Sequence, residues 1–308
     1  MDRISTASTY QAVLNNLMTA EINQTVAGNQ LSSTEKATDL AGYGAGAETL
    51  AAMQASNAQV GGLLNDNQTV TARLATQNTA LSEVQGAAGA AVQAITSALA
   101  LNNGSSLMQA LQDAFSSAIG GLNSTFNGEY LFAGGQVNTQ PVSATSLSDL
   151  TSGPPISSFF HNDQRQITSQ INQNTTINSG FLADAVGTPL FNAFQAIQAA
   201  GGFNGTLTTA QKAFLTTELG TFQSVQTNLT NVVAQNGLMQ SETTNAQTDL
   251  GQRQTMLQGL IANATGANLA QASTDLQQAQ LAVQAAGQVF QSLKAASLLN
   301  LITPTPTG

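Results

Sequence analysis

Residues 268–302 read NLAQASTDLQQAQLAVQAAGQVFQSLKAASLLNLI. Apolar residues recur there at steps of three and four: Leu269, Ala272, Leu276, Ala279, Val283, Ala286, Phe290 and Leu293. Small residues alternate with large ones along this seam, which is the pattern of a coiled coil. Gln, Ser and Thr fill the opposite face with almost no charge. A helix of about 33 residues is about 50 Å long and cannot bury a single apolar seam by itself. It needs a partner helix, from this chain or from a neighbouring copy.

The N-terminal segment supplies a candidate. Over residues 1–34, Tyr10, Val13, Leu17, Ala20, Gln24, Ala27 and Leu31 follow the same spacing, and Ile4, Leu14, Ile22 and Val26 widen the apolar face. Such a face docks on another helix. Residues 35–47, EKATDLAGYGAGA, then break the pattern with Gly42, Gly44 and Gly46. No strand precedes these glycines and no Lys-Ser/Thr follows, so they predict a bend between helices rather than a phosphate loop.

The longest heptad run has its seam at Val60, Leu63, Asn67, Val70, Leu74, Gln77, Leu81, Val84, Ala88, Ala91, Ile95 and Ala98. Asn67 and Gln77 are polar seam residues, which weaken a coiled coil but can fix its register. Asn102-Asn103-Gly104 ends this helix, and a second follows at about 106–126 with Leu107, Leu111, Phe115, Ile119 and Leu122 inward. From Asn127 the character changes. NGEYLFAGG opens with a turn signal, 138–155 is rich in Ser, Thr and Pro, and QITSQINQNTTI at 166–177 predicts short strands. Helix begins again around Phe191, Phe194 and Ile197. It is firm from Thr208, with a seam at Phe222, Val225, Leu229, Val232, Asn236, Met239, Thr243, Ala246, Leu250, Arg253, Leu257 and Leu260. The tail TPTPTG reads as disordered.

The expected fold class is therefore mainly α: a long antiparallel helical coiled-coil rod formed by the N- and C-terminal segments, with a small β-rich central lobe. Aromatic residues are 5% of the chain and Trp is absent, so a core of Ala, Leu, Val and Ile is expected. Charged residues are only 7%, against about 25% in ordinary soluble domains. An uncharged polar surface repels copies of itself weakly, which suits self-assembly. Seven basic residues and a net charge of −9 leave no patch for nucleic acid. No run of 18 apolar residues predicts membrane insertion, and MDRISTASTY lacks the apolar core of a cleavable signal. Without cysteine there is no disulfide and no thiolate chemistry.

Several local sequences resemble the flagellin superfamily. The stretch DLQQAQLAVQAAGQVFQSLKAASLLNLI is similar to the family's terminal helix, including its SLLN ending. LSSTEKATDL, at Leu31–Leu40, resembles the family's Leu-Ser-Ser/Thr-Gly-x-Lys/Arg segment, departing at Thr34 where the family usually has Gly. It also lacks the usual Asp-Asp before Ala-Gly. Arg3, Ile4, Ser5 and Thr6 resemble the opening of the hook–filament junction branch, as does Tyr130-Leu131-Phe132-Ala133-Gly134 after Asn127-Gly128-Glu129. Short filament flagellins share parts of these motifs, and a filament subunit is the alternative.

The resemblance implies a structural protein of the bacterial flagellum, outside the cell, exported unfolded through the flagellar type III channel without a cleaved signal. Its implied partners are copies of itself, the other hook–filament junction protein, flagellin, an export chaperone and the export gate. On this reading the chain divides into 1–47, an N-terminal assembly helix and bend; 48–126, the N-terminal half of the rod; 127–205, a β-rich outer lobe; 206–266, the C-terminal half of the rod; and 267–308, a C-terminal assembly helix and tail. The candidate subunit-interface residues are Ile4, Tyr10, Leu14 and Leu17 at one end, and Val289, Phe290, Leu293, Leu298 and Leu299 at the other. No catalytic, cofactor or metal motif stands out. His161, the only histidine, lies in the polar run HNDQR and reads as solvated. There is no G-x-S-x-G elbow and no D-x-D-x-D-G calcium loop, so an enzyme is not expected.

Overall fold

A computed structural model describes residues 2–302, with side chains described over 8–295. Its helices are α1 (Asp2–Ser33), α2 (Ala47–Ala100), α3 (Leu107–Leu122), α4 (Ala183–Ala200), α5 (Thr209–Thr265) and α6 (Leu269–Ile302). Four short strands form two antiparallel hairpins: β1 (Thr125–Phe126) with β2 (Glu129–Tyr130), and β3 (Thr168–Asn172) with β4 (Thr175–Asn178). The fold is mainly α with a small β component, as the periodicity predicts. Two compact units can be separated, Met1–Gln59 with Arg253–Gly308, and Val60–Gln252.

In the first unit α1 packs against α6. Tyr10 meets Phe290 near one end of the pair, with ring centroids 5.0 Å apart. Ala20, Ala27, Ala272 and Ala279 are buried between the helices, where small side chains let the backbones approach. At the other end, the segment after α1 is tied to the α5–α6 connector. The Lys36 N–H donates to the Thr265 carbonyl (2.7 Å), and the Ala267 N–H donates to the Thr34 carbonyl (2.9 Å). Lys36 Nζ donates to the Ala264 carbonyl (3.0 Å). The glycine run folds as a 3₁₀ turn over Leu40–Gly46, kinked at Gly44, whose φ of 53° requires glycine. Asp39 caps it by accepting from the Gly42 N–H (2.9 Å).

In the second unit the seam of α2 faces inward as predicted. Ten of its twelve positions are buried, and Leu63 and Val70 are half-buried. The α5 seam is buried or half-buried from Phe222 to Leu250, whereas Arg253 and Leu260, in the other unit, are exposed. A heptad pattern marks a face but does not supply a partner along its whole length. The core departs from the expected aliphatic composition. Phe115, Phe132, Phe191, Phe194, Phe203 and Phe222 are all fully buried, half of the chain's 12 phenylalanines. Phe115 sits 4.8 Å from Phe191 and 5.3 Å from Phe194, and Phe194 sits 5.1 Å from Phe222. The aromatics are few but concentrated where α3, α4 and α5 meet.

Helix α3 stops at Leu122, four residues before the predicted end. Asn123 turns the chain by pairing its carboxamide with the Val142 backbone, donating to its carbonyl and accepting from its N–H, each at 3.0 Å. Helix α4 starts at Ala183, well before Phe191, and ends at Gly201 and Gly202, whose φ angles are 54° and 66°.

Thr34 adopts a φ of 62°. A β-branched residue is strained there, by roughly 1–2 kcal/mol. The position is the one where the resembling family usually has glycine. Thr34→Gly should therefore stabilise the first unit by roughly 1 kcal/mol, after glycine's own entropic disadvantage. Thermal denaturation should show a higher Tm than for the parent chain.

Candidate functional site

The expected interface residues, with the family-motif residues Arg3, Ser5 and Thr6, fall into three groups. The side chains of Arg3, Ile4, Ser5, Thr6, Leu298 and Leu299 lie outside the described residues. Tyr10, Leu17, Phe290 and Leu293 are half-buried, and Tyr10 and Phe290 touch within the chain. Leu14 and Val289 are exposed. Leu14 is not alone. With Met18, Ile22 and Val26 it forms a row at four-residue steps along α1, exposed by 41, 54, 61 and 49% respectively. Residues four apart on a helix are surface neighbours, so these four make a continuous apolar stripe beside the one used for α6. The periodicity pointed to Leu14, Ile22 and Val26 as widening the face, but Met18 went unnoticed although it completes the i+4 row.

The motif Tyr130-Leu131-Phe132-Ala133-Gly134 is mostly interior. Leu131, Phe132 and Ala133 are buried and Tyr130 is half-buried. The preceding turn has Asn127 and Gly128 at φ 52° and 85°, between the paired residues Phe126 and Glu129. This is a two-residue turn with both central residues left-handed, which Asn-Gly favours. Arg73 of α2 is half-buried at this hairpin. Burial lowers its pKa, and the charge of Glu129 opposes that shift.

The motif's last glycine, Gly134, and the Gly135 that follows it serve Asp163. A Cβ on Gly134, whose φ is 67°, would run into Asp163. The Asp163 carboxylate accepts from the Gly135 N–H (2.7 Å) and the Arg165 N–H (3.0 Å). The Gly135 bond is the largest cause holding its pKa below the ordinary range, followed by the Arg165 bond. The carbonyl of Phe132 accepts from the Ala183 N–H (3.0 Å), joining the motif to the start of α4. So the HNDQR run, in which His161 is exposed, holds a structural carboxylate. Among the described residues no cluster of three His, Cys, Asp or Glu could hold a metal. Nor is any described helix long and apolar enough to cross a membrane.

The polar seam residues form a buried amide ladder. Gln77 Nε2 donates to Asn236 Oδ1 on α5 (2.9 Å) and to the Ser179 carbonyl after β4 (3.1 Å). Asn236 Nδ2 donates to the Leu74 carbonyl (2.9 Å). Asn67 Nδ2 donates to the Ile171 carbonyl of β3 (2.8 Å). A small apolar cluster of Leu74, Ile171, Ile177 and Ala246 sits beside these bonds. The ladder joins α2 to α5 and ties the β3–β4 hairpin to α2, while Ala246 of α5 meets the hairpin in the apolar cluster. The seam spacing marked Asn67 and Gln77 as polar and placed Asn236 on the α5 seam, but nothing in the spacing indicated the carbonyls of Ile171 and Ser179.

Residues 4–137 match the bacterial flagellin N-terminal helical region. That match spans 134 of the 308 residues, so the likeness to flagellins rests on the N-terminal part of the chain. The fold is similar to a structure described as a flagellar hook-associated protein from Vibrio parahaemolyticus, with a TM-score of 0.59 and 14% identity over 70% of this chain and 96% of that one. It is also similar to FlgL of Bacillus cereus, with a TM-score of 0.55 and 15% identity over 68% of this chain and 99% of that one. No curated protein sequence matches significantly.

Two substitutions test this arrangement. Gln77→Leu leaves the Asn236 Oδ1 and Ser179 carbonyl acceptors without their donor and should cost about 1–3 kcal/mol in urea denaturation. The Asp163 bonds add stability above the unfolded carboxylate pKa of about 4 and lose it as pH falls through the lower folded value. The protection of the Gly135 amide, its exchange rate relative to that of an unstructured amide at the same pH, should therefore fall as the carboxylate is protonated in acid, and Asp163→Asn should flatten that dependence.

Proposed function

We propose that this protein is a structural subunit of the bacterial flagellum that occupies the hook–filament junction and assembles through α1 and α6. The observation that carries this reading is the flagellin helical-region match over residues 4–137. The fold shared with the hook-associated protein and with FlgL favours the junction over the filament. The partners on this reading are copies of the chain, the other junction protein and flagellin. Export unfolded, with a chaperone and the type III gate, follows from the same reading.

Leu14 and Val289 are the interface candidates best supported by their exposure, together with Met18, Ile22 and Val26 on the same face of α1 as Leu14. Tyr10 and Phe290 meet within the helix pair, and Leu17 and Leu293 are half-buried. The lobe at 127–205 would face outward.

Leu14→Lys combined with Ile22→Lys should leave the fold nearly unchanged, since both sites are exposed, with changes within about 0.5 kcal/mol each. The variant should stay helical by circular dichroism yet fail to enter flagella in cells lacking the parent chain. Normal incorporation would remove this stripe from the interface. Gold-labelled antibody against residues 127–187 on intact flagella tests the position. Label confined to the hook–filament boundary is expected, whereas continuous label along the filament would make the chain a filament subunit.

A further inference from the structure

The chain contains four Asn-Gly steps: Asn103-Gly104, Asn127-Gly128, Asn204-Gly205 and Asn236-Gly237. This dipeptide is the one most open to spontaneous deamidation, because glycine puts no side chain in the way of its own backbone nitrogen. The nitrogen attacks the asparagine Cγ, so it must be free to leave its hydrogen bond and reach that carbon. In three of the four steps it is committed elsewhere. The Gly104 N–H donates to the Gly205 carbonyl (2.8 Å), and the Gly205 N–H donates to Ser105 Oγ (3.1 Å). Gly237 lies inside α5, where the helical ladder takes its N–H, and Asn236 is fully buried in the amide ladder.

Asn127-Gly128 differs in each respect. Both residues are exposed. They are the two central residues of the β1–β2 turn, so Gly128 N–H points away from the pairing of Phe126 with Glu129. Neither the Asn127 carboxamide nor the Gly128 N–H has a hydrogen-bond partner among the described residues. We propose that Asn127 is this protein's site of spontaneous deamidation, and that the fold protects the other three steps.

The reaction balances with water alone. The Gly128 nitrogen bonds to Asn127 Cγ, the bond from Cγ to the side-chain nitrogen breaks, and ammonia leaves with the former Gly128 amide proton. The product is a cyclic succinimide. Water then opens the ring at one of its two carbonyls. Opening at Cγ gives aspartate, and opening at the backbone carbonyl gives isoaspartate, in which the chain runs through the side chain.

The two products differ in their effect. Aspartate tolerates the left-handed conformation of Asn127 and adds one negative charge beside Glu129. Isoaspartate inserts an extra atom into the main chain of a two-residue turn whose register is set by its length. It displaces Glu129 and Tyr130 from their partners and loosens the anchor of the Leu131–Ala133 segment.

The test is to incubate the purified full chain at mildly alkaline pH and map isoaspartate by peptide mass spectrometry, with a parallel sample in concentrated urea. In the folded sample, isoaspartate should accumulate at residue 127 well ahead of 103, 204 and 236. In urea all four steps should react at comparable rates. A folded sample that reacts first at 103 or 204, or one in which residue 127 is slowed as much as the others relative to urea, would overturn the proposal.

Discussion

The carboxamide of Gln77 meets that of Asn236 in a site closed to water, and the second unit is organised about that contact. An apolar seam alone would allow α2 and α5 to slide by a heptad, since Leu, Val and Ala pack against one another in many registers. An amide buried without its partner is costly. Only the register that brings Gln77 to Asn236, and Asn236 to the Leu74 carbonyl, satisfies these donors. The same Gln77 reaches the Ser179 carbonyl, so the register of two long helices also sets the place of a hairpin distant in sequence.

The first unit uses a different device. Its helices α1 and α6 are joined by small residues and one aromatic contact, with the connector beyond Gly266 hydrogen-bonded to the segment after Thr34. Nothing in that pair buries the second apolar row on α1. A helix with two apolar stripes and one intrachain partner is suited to a subunit whose remaining partner is another protein. The uncharged polar surface agrees with this, because close packing of copies then demands little desolvation of charge.

The motif around Tyr130–Gly134 shows how a signature can be structural. Its aromatic and aliphatic residues fill the core beside α3 and α4, and its glycines admit the Asp163 carboxylate to the backbone. The acidic residue that needs this space lies almost thirty positions further on, in the polar run that carries His161.

Much of the fold was legible in the sequence because helices advertise their buried face at a fixed period. That period located the six helical regions, the seams of α1, α2, α5 and α6, and the polar seam residues Asn67 and Gln77. The partners of the polar groups were not legible, since a carboxamide pairs with whichever carbonyl the tertiary fold brings near it. The same reason hid the phenylalanine cluster, whose members span Phe115 to Phe222 in sequence and meet only once α3, α4 and α5 pack. The sequence by itself determined where helices form and which face each buries. Only the tertiary structure decided which apolar rows find a partner inside the chain and which, like Leu14 to Val26, are left exposed, because burial is a property of neighbours and not of spacing.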